Sequence, residues 1–474
     1  MTFCACKDGS CQPREDNAFS SAECDPRRIA PGDPLGTLGL LGIDWGSMPD
    51  RNLVVNSNAD DASPSTGELT LRAALAKAAD LSGKSDQPVR ITFDPEIFRP
   101  ENQEFIHLGT PLALAGRNIF LDGRGSNVWL KPDTLQNDTP FRVSCRTCLV
   151  AHLTLYSMPG FGMEVIGAED LYLMGIEILN CGEGLGRSTG GLLVAGGSRR
   201  ITIGDGQGQP LIGEPQGCNF QNNTGPGLVI GDMDSPPEDV MVFGMDSSAN
   251  IDFQTTGVGA GVAVRGKTKN VSIGVPPGLD KKIRAINKFY DNGQFGISLA
   301  GEFDRVIVRG NLIVGQPYSV ALKNVTGEVK FVHNTLIDPQ EAILFCAAIP
   351  NRGQALFWAV NNIFYAENPS RNFWDLTGGE VCNGLNVYVD YPFLFNVECN
   401  TAGMGGLCDW MNSATKYVND PAFNDLIWPF PTDPEAANGA DPNLALEGIL
   451  FDTNGPAPNR FNGNGPAFGA IEEP

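Results

Sequence analysis

Val308-Arg309-Gly310-Asn311-Leu312-Ile313, Phe331-Val332-His333-Asn334-Thr335-Leu336 and Ala359-Val360-Asn361-Asn362-Ile363-Phe364 superimpose without a gap, 23 and 28 residues apart. A unit that short cannot bury its own apolar face, so its recurrence predicts a solenoid in which each turn is stabilised by its neighbours. Successive side chains of a strand point to opposite faces, and the asparagines give a common origin for testing that parity. Val306 and Val308, Val329 and Phe331, and Phe357 and Ala359 form an apolar inward set. Ile307, Lys330 and Trp358 form the intervening, outward column. A second short strand follows as Ser319-Val320-Ala321-Leu322 and Ala342-Ile343-Leu344-Phe345, so each repeat reads strand, turn, strand.

The cadence continues upstream with looser spacing. Gly162-Met163-Glu164-Val165, Gly191-Leu192-Leu193-Val194, Gly227-Leu228-Val229-Ile230, Gly261-Val262-Ala263-Val264 and Gly296-Ile297-Ser298-Leu299 are one strand of successive coils. Asp170-Leu171-Tyr172-Leu173, Arg200-Ile201-Thr202-Ile203, Asp239-Val240-Met241-Val242 and Asn270-Val271-Ser272-Ile273 are another. The expected architecture is all-β, a solenoid of roughly ten coils over residues 105–395, with inserted loops clustered between 204 and 290 that decorate one face.

A corner asparagine bonds the backbone of a tight turn, tolerates left-handed conformations, and stacks its amide from coil to coil. Asn311, Asn334 and Asn362 are therefore structural. In this the chain resembles right-handed parallel β-helix proteins of the pectate-lyase-like group, whose asparagine ladder occupies such a corner. Two further segments extend the resemblance. Asn52–Asp61, Gly67–Ala78 and Val89–Asp94 resemble the opening module of secreted β-helix proteins, implying a helix over residues 70–78. Thr70 would cap that helix and Leu71, Ala74, Leu75 and Ala78 would form its apolar stripe over the solenoid end. Val418-Asn419-Asp420-Pro421-Ala422-Phe423 and Gly465–Glu472 resemble the closing segment of bacterial secreted β-helix proteins. The expected organisation is an N-terminal Cys/Pro/Gly-rich extension (1–50), a helical cap (51–104), the β-helix (105–395) and a loop-rich C-terminal cap (396–474).

With 57 glycines, 34 prolines, 19% charged and 42% apolar residues in 474, the composition suits a turn-rich β solenoid. No apolar run is long enough for a membrane span. The net charge of −22, from 55 acidic and 33 basic residues, argues against phosphate-tracking nucleic-acid binding. Twelve cysteines point to an oxidising, secreted or cell-surface setting. Cys4, Cys6, Cys11 and Cys24 crowd the start, and local pairs are expected for Cys145/Cys148, Cys181/Cys218, Cys346/Cys382 and Cys399/Cys408. Zinc is the competing use of Cys145-Arg146-Thr147-Cys148, but only His107, His152 and His333 are available as histidine partners. The start, Met1–Lys7, lacks the apolar segment of a signal peptide, so a mature form is expected.

Outward columns of a solenoid offer a groove for a linear polysaccharide, with aromatic faces for sugar rings and charges to orient them. Trp358, Lys330 and Tyr290 are the substrate-binding candidates. If the ligand is a polyuronate, β-elimination needs cations to neutralise its carboxylate and a base for the acidified proton. Lys330, Arg309, His333, Lys323 and Arg305 are the catalytic candidates, with Tyr290 or Tyr318 as an acid. None forms a catalytic motif of the family. Hydrolysis instead needs paired carboxylates, and Asp304 and Glu328 fall on adjacent coils. Asp232, Asp234, Glu238 and Asp239 are a candidate calcium site. Arg265, Lys267, Lys269, Lys281, Lys282, Arg284 and Lys288 form a basic band for a polyanion. Two functions stand side by side: a secreted glycan-interacting protein, lyase before hydrolase if an enzyme, and a non-enzymatic adhesive or filament-forming surface protein. The expected partners are a polysaccharide or cell-surface glycan and further copies of the chain.

Overall fold

The computed structural model describes, with side chains, residues 51–85, 87–133, 141–183, 189–204, 217–251, 259–274, 286–337, 362 and 364–366. Ile363 and the strands Cys4–Lys7, Ser10–Pro13, Glu341–Cys346, Ala355–Val360, Arg371–Asp375, Leu385–Asp390, Phe393–Phe395 and Val397–Glu398 are described by their backbone. The chain is a parallel β-helix. Each coil carries three strands, seen in Met163–Ile166, Glu169–Met174 and Glu177–Leu179, and again in Leu192–Ala195, Arg199–Gly204 and Cys218–Gln221. Stacking the first, second and third strands of successive coils builds three parallel faces, here called sheets a, b and c. Sheet c has 11 strands, running from Glu104–Leu108 to Phe393–Phe395.

The strand, turn, strand repeat is thus corrected to three strands. The residues after each corner asparagine, Leu312-Ile313 and Thr335-Leu336, are not turn but sheet c. They are too short and too uniformly apolar to show the period-2 pattern by which a strand is read from sequence.

Sheets a and b are joined because Ala260–Gly274 and Phe295–Arg309 each run through the corner without a break. Single residues in the left-handed region mark the corners, Asn270 within the first of these strands included. Asp170, Arg200, Asp239 and Asn270 turn a into b, His152 and His333 turn b into c, and Asn180, Asn222 and Asp291 leave c. At the b–c corner Gly310 and His333 take the positive φ while Asn311 and Asn334, one residue later, supply the amides. The ladder runs Asn287 Nδ2 to Asn311 Oδ1 (2.9 Å), Asn311 Nδ2 to Asn334 Oδ1 (2.8 Å) and Asn334 Nδ2 to Asn362 Oδ1 (3.0 Å).

Inward residues of all three sheets form one apolar column, including Val306, Val308, Val329 and Phe331, each no more than 1% exposed. Helix α1, Leu71–Lys84, packs on the first strands of sheets a and b. Thr70 Oγ1 accepts from Ala73 N at its start (3.2 Å), and Leu71, Ala74, Leu75 and Ala78 are buried as the 3.6-residue pattern predicts. Asp60 fixes the helix to the turn after Glu104–Leu108, accepting from Arg72 Nη2 (2.8 Å) and Gly109 N (2.9 Å). Asn52–Val55 and Val89–Phe93, upstream of residue 105, pair with each other and extend sheet b. Residues 399–474 lie outside the described residues, as do 14–50.

Cys145 and Cys148 form a disulfide (Cα–Cα 6.3 Å). The expected Cys181–Cys218 pairing is not made. Both sulfurs are fully buried: Cys181 Sγ donates to Leu179 O (3.5 Å) and Cys218 Sγ to Leu173 O (3.7 Å). Burial pushes the Cys181 thiol up to about 12. Cys6 and Cys11 sit opposite each other in an antiparallel hairpin. Cys24, Cys382, Cys399 and Cys408 lie outside the described residues.

Candidate glycan-binding face

Parity fixes what each sheet shows to solvent. On sheet b the outward row Phe120, Leu149, Tyr172, Thr202, Met241 is in register, and every member is at most 4% exposed. On sheet a the outward column is exposed or half-buried at Ala113, Arg142, Glu164 and Leu193 and buried from Val229 through Ala263, Ser298 and Ala321. Between Phe105 and Tyr290, sheet c presents mostly half-buried aromatic and polar side chains.

The first rows of sheet c carry a platform of rings. Ile106, Leu108, Val128 and Leu130 point into the core, which forces Phe105, His107, Trp129 and Lys131 outward. Phe105 and Trp129 are register partners with ring centroids 5.7 Å apart, and Trp129 and Tyr156 lie 5.5 Å apart. His107, exposed, stands 6.1 Å from Phe105. The Lys131 ammonium sits 6.0 Å from the Phe105 ring and 5.9 Å from Tyr156, within cation–π range. Trp129 is oriented by Nε1 donating to Asn127 Oδ1 (2.7 Å).

Below the platform one outward column runs Thr154, Glu177, Asn219, Asp246, Lys288, each in register with the next. Beside it runs Tyr156, Leu179, Gln221, Ser248, Tyr290. Thr154 Oγ1 donates to Glu177 Oε2 (2.9 Å). Burial pushes the Asp246 carboxyl above its ordinary range, with Lys288 pulling it back only in part. Asn219 Oδ1 is buried and receives no hydrogen bond among the described residues. From Phe105 to Lys288 the column crosses seven rows, about 29 Å at the usual strand spacing. It ends where Leu312 and Thr335 turn it apolar and buried. Of the insertions expected between 204 and 290, two lie between sheet b and sheet c, ahead of Cys218–Gln221 and Asn287–Tyr290, whereas that at Asp232 lies between sheet a and sheet b.

The residues singled out from sequence are brought together only in part. Arg305, Lys330 and Trp358 belong to sheet b, with Lys330 and Trp358 in register. Arg305 Nε and Lys330 Nζ both hold Glu328, at 3.1 and 3.2 Å. Burial raises the Glu328 carboxyl, but the two cations outweigh it and the net shift is downward. Glu328 is thus committed to cations while Asp304, at a register shift, is exposed; they do not face each other as a hydrolytic pair. Arg309 ends its strand next to the corner, His333 occupies the corner itself at 7% exposure, and Lys323 is exposed at the end of a sheet a strand. Tyr290 is on sheet c, away from Lys330, and Tyr318 contacts Phe295 on sheet a (5.5 Å). The four loop acids do not converge. Asp232 is held down by backbone N–H groups, led by Asp234 N at 2.9 Å, and also takes Gly196 N (3.0 Å). Glu238 faces Lys269 (3.8 Å) and Asp239 accepts from Asn270 (3.1 Å). Among the described residues no group of three or more His, Cys, Asp or Glu could hold a metal ion. Lys281, Lys282 and Arg284 lie outside the described residues, and Lys267 is paired with Glu302 (3.4 Å).

The platform was legible. Glu104-Phe105-Ile106-His107-Leu108 and Val128-Trp129-Leu130-Lys131 alternate plainly, and the parity test that served residues 306–360 applies to them unchanged.

No protein-family model matches the chain, and no curated protein does. Solved structures that resemble it are parallel in theme. Pectate lyase Pel9A aligns at 12% identity over 90% of this chain and 97% of its own, with a TM-score of 0.44. The Dettilon tailspike protein aligns at 11% identity (82% and 74%, TM-score 0.39). PfbA, a surface adhesin of Streptococcus pneumoniae, aligns at 10% (70% and 90%, TM-score 0.34). At such identity and similarity, activity has to be argued from the chain's own side chains.

Proposed function

We propose that this protein binds an extended polysaccharide along the outer surface of sheet c. The observation that carries the proposal is the ring platform of Phe105, Trp129 and Tyr156 on consecutive rows, continuous with a column of carboxyl and amide groups. Rings of this kind stack on sugar faces and the polar column supplies hydrogen bonds, beside a sheet b whose outward row from Phe120 to Met241 is buried. β-Elimination on sheet b has less support, because Arg305 and Lys330 already hold Glu328. The Cys145–Cys148 disulfide agrees with an extracytoplasmic setting. An adhesive role without chemistry would use the same face.

The test is affinity electrophoresis of the full chain through gels containing individual polysaccharides. Trp129→Ala should weaken retardation about ten-fold or more, while Lys323→Ala, on sheet a, should not change it. Equal retardation of wild type and Trp129→Ala in every gel would sink the proposal.

A further inference from the structure

The polar half of sheet c is rich in hydrogen-bond acceptors. Between the platform and Lys288 the column shows Glu177, Asn219 and Asp246 in consecutive rows, with Gln221 and Ser248 alongside. Two of these are carboxyls, and Asn219 adds a buried acceptor that no donor of the described residues satisfies. The cations nearby are already placed: the Lys131 ammonium lies between two rings, and Lys288 is in register with Asp246. Arg305 and Lys330, which could neutralise a uronate, face away on sheet b and hold Glu328. The chain as a whole carries −22.

We infer that the ligand of sheet c is an uncharged polysaccharide, and that polyuronates are excluded from it. This rests on the glycan-binding proposal above. Sugar hydroxyls are donors, which carboxyl and amide oxygens need; a uronate carboxylate brings only more acceptors and a like charge to rows 177–246. Exclusion of the wrong ligand then comes from repulsion as much as from attraction to the right one.

The experiment titrates the full chain with an uncharged β-glucan, an uncharged mannan and polygalacturonate, at low and high salt, followed by calorimetry. At least one uncharged polymer should bind about ten-fold or more tighter than polygalacturonate at low salt, with the gap narrowing as salt screens the repulsion. Asp246→Lys should raise polygalacturonate affinity about ten-fold, and Asp246→Asn, which keeps the side chain's shape, about three-fold. Circular dichroism of both variants guards against misfolding. Polygalacturonate binding to wild type as tightly as the uncharged polymers, in a manner lost in Trp129→Ala, overturns this inference and leaves the glycan proposal standing. Binding of no polymer, with Trp129→Ala indistinguishable from wild type, overturns both.

Discussion

Asp246 and Glu328 are two carboxyls on outward columns whose surroundings push them in opposite directions. For Asp246 burial wins over Lys288, so its folded pKa lies above 3.8. Between 3.8 and that higher value the folded chain binds the proton more tightly than the unfolded one, so stability falls as pH rises through this window. For Glu328 the cations Lys330 and Arg305 win over burial, and the folded pKa lies below 4.5. Its contribution is present above 4.5 and is lost as pH falls through the folded value. Melting curves taken across pH should show Asp246→Asn flattening the decline on the alkaline side of 3.8, and Glu328→Gln removing the loss on the acid side of 4.5. An Asp246→Asn curve parallel to wild type throughout would contradict the burial assigned to that carboxyl.

The corner ladders are the elements that fix the stacking. Asn334 is bonded on both sides: its Oδ1 accepts from Asn311 N (3.0 Å) and Nδ2 (2.8 Å), and its Nδ2 donates to Asn362 Oδ1 and Val308 O. Asn334→Ala leaves several buried groups unpaired at once, and a loss of about 3 kcal/mol is expected from the urea midpoint. A second ladder stands at the corner leaving sheet c, where Asn223 Nδ2 donates to Asn250 Oδ1 (2.9 Å) and Asn250 Nδ2 to Asn292 Oδ1 (2.8 Å). Its members repeat the device of the first, each following a left-handed residue: Asn222, Ala249 and Asp291. Their spacings of 27 and 42 residues hid them, since the insertion after Ser248 breaks the alignment that made Asn311, Asn334 and Asn362 visible. The cap and apolar stripe of helix α1, Thr70 to Ala78, were readable because they are local signals, while its continuation to Lys84 was not expected. The short third strands after the corner asparagines were not readable, because three or four residues are too few to show a period.

At the scale of the molecule, one apolar interior runs from Leu53 to Phe364, and the buried sulfurs of Cys181 and Cys218 belong to it. They are packing residues rather than reactive ones. Mapping of thiol-reagent adducts on the native chain at pH 8 should leave both unlabelled, and unfolding should expose both together; labelling of either in the native state would contradict the interior described. Cysteine counting alone could not separate Cys145/Cys148 from Cys181/Cys218, because adjacency in sequence says nothing about which sheet face a sulfur occupies. The same limit explains the candidate site. Lys330 and Trp358 are in register on sheet b as the repeat alignment expects, yet which of three faces takes a ligand depends on the side chains of all three.

The two strands that run unbroken from sheet a into sheet b, Ala260–Gly274 and Phe295–Arg309, matter mechanically. Their 12 paired positions exceed those of any other neighbouring strands. Pulled from its ends, a stack of coils peels one row at a time, at a force set by the bonds in that row. This row is a rivet: a single-molecule trace should climb there to its tallest peak, splitting the molecule into two segments that unravel separately.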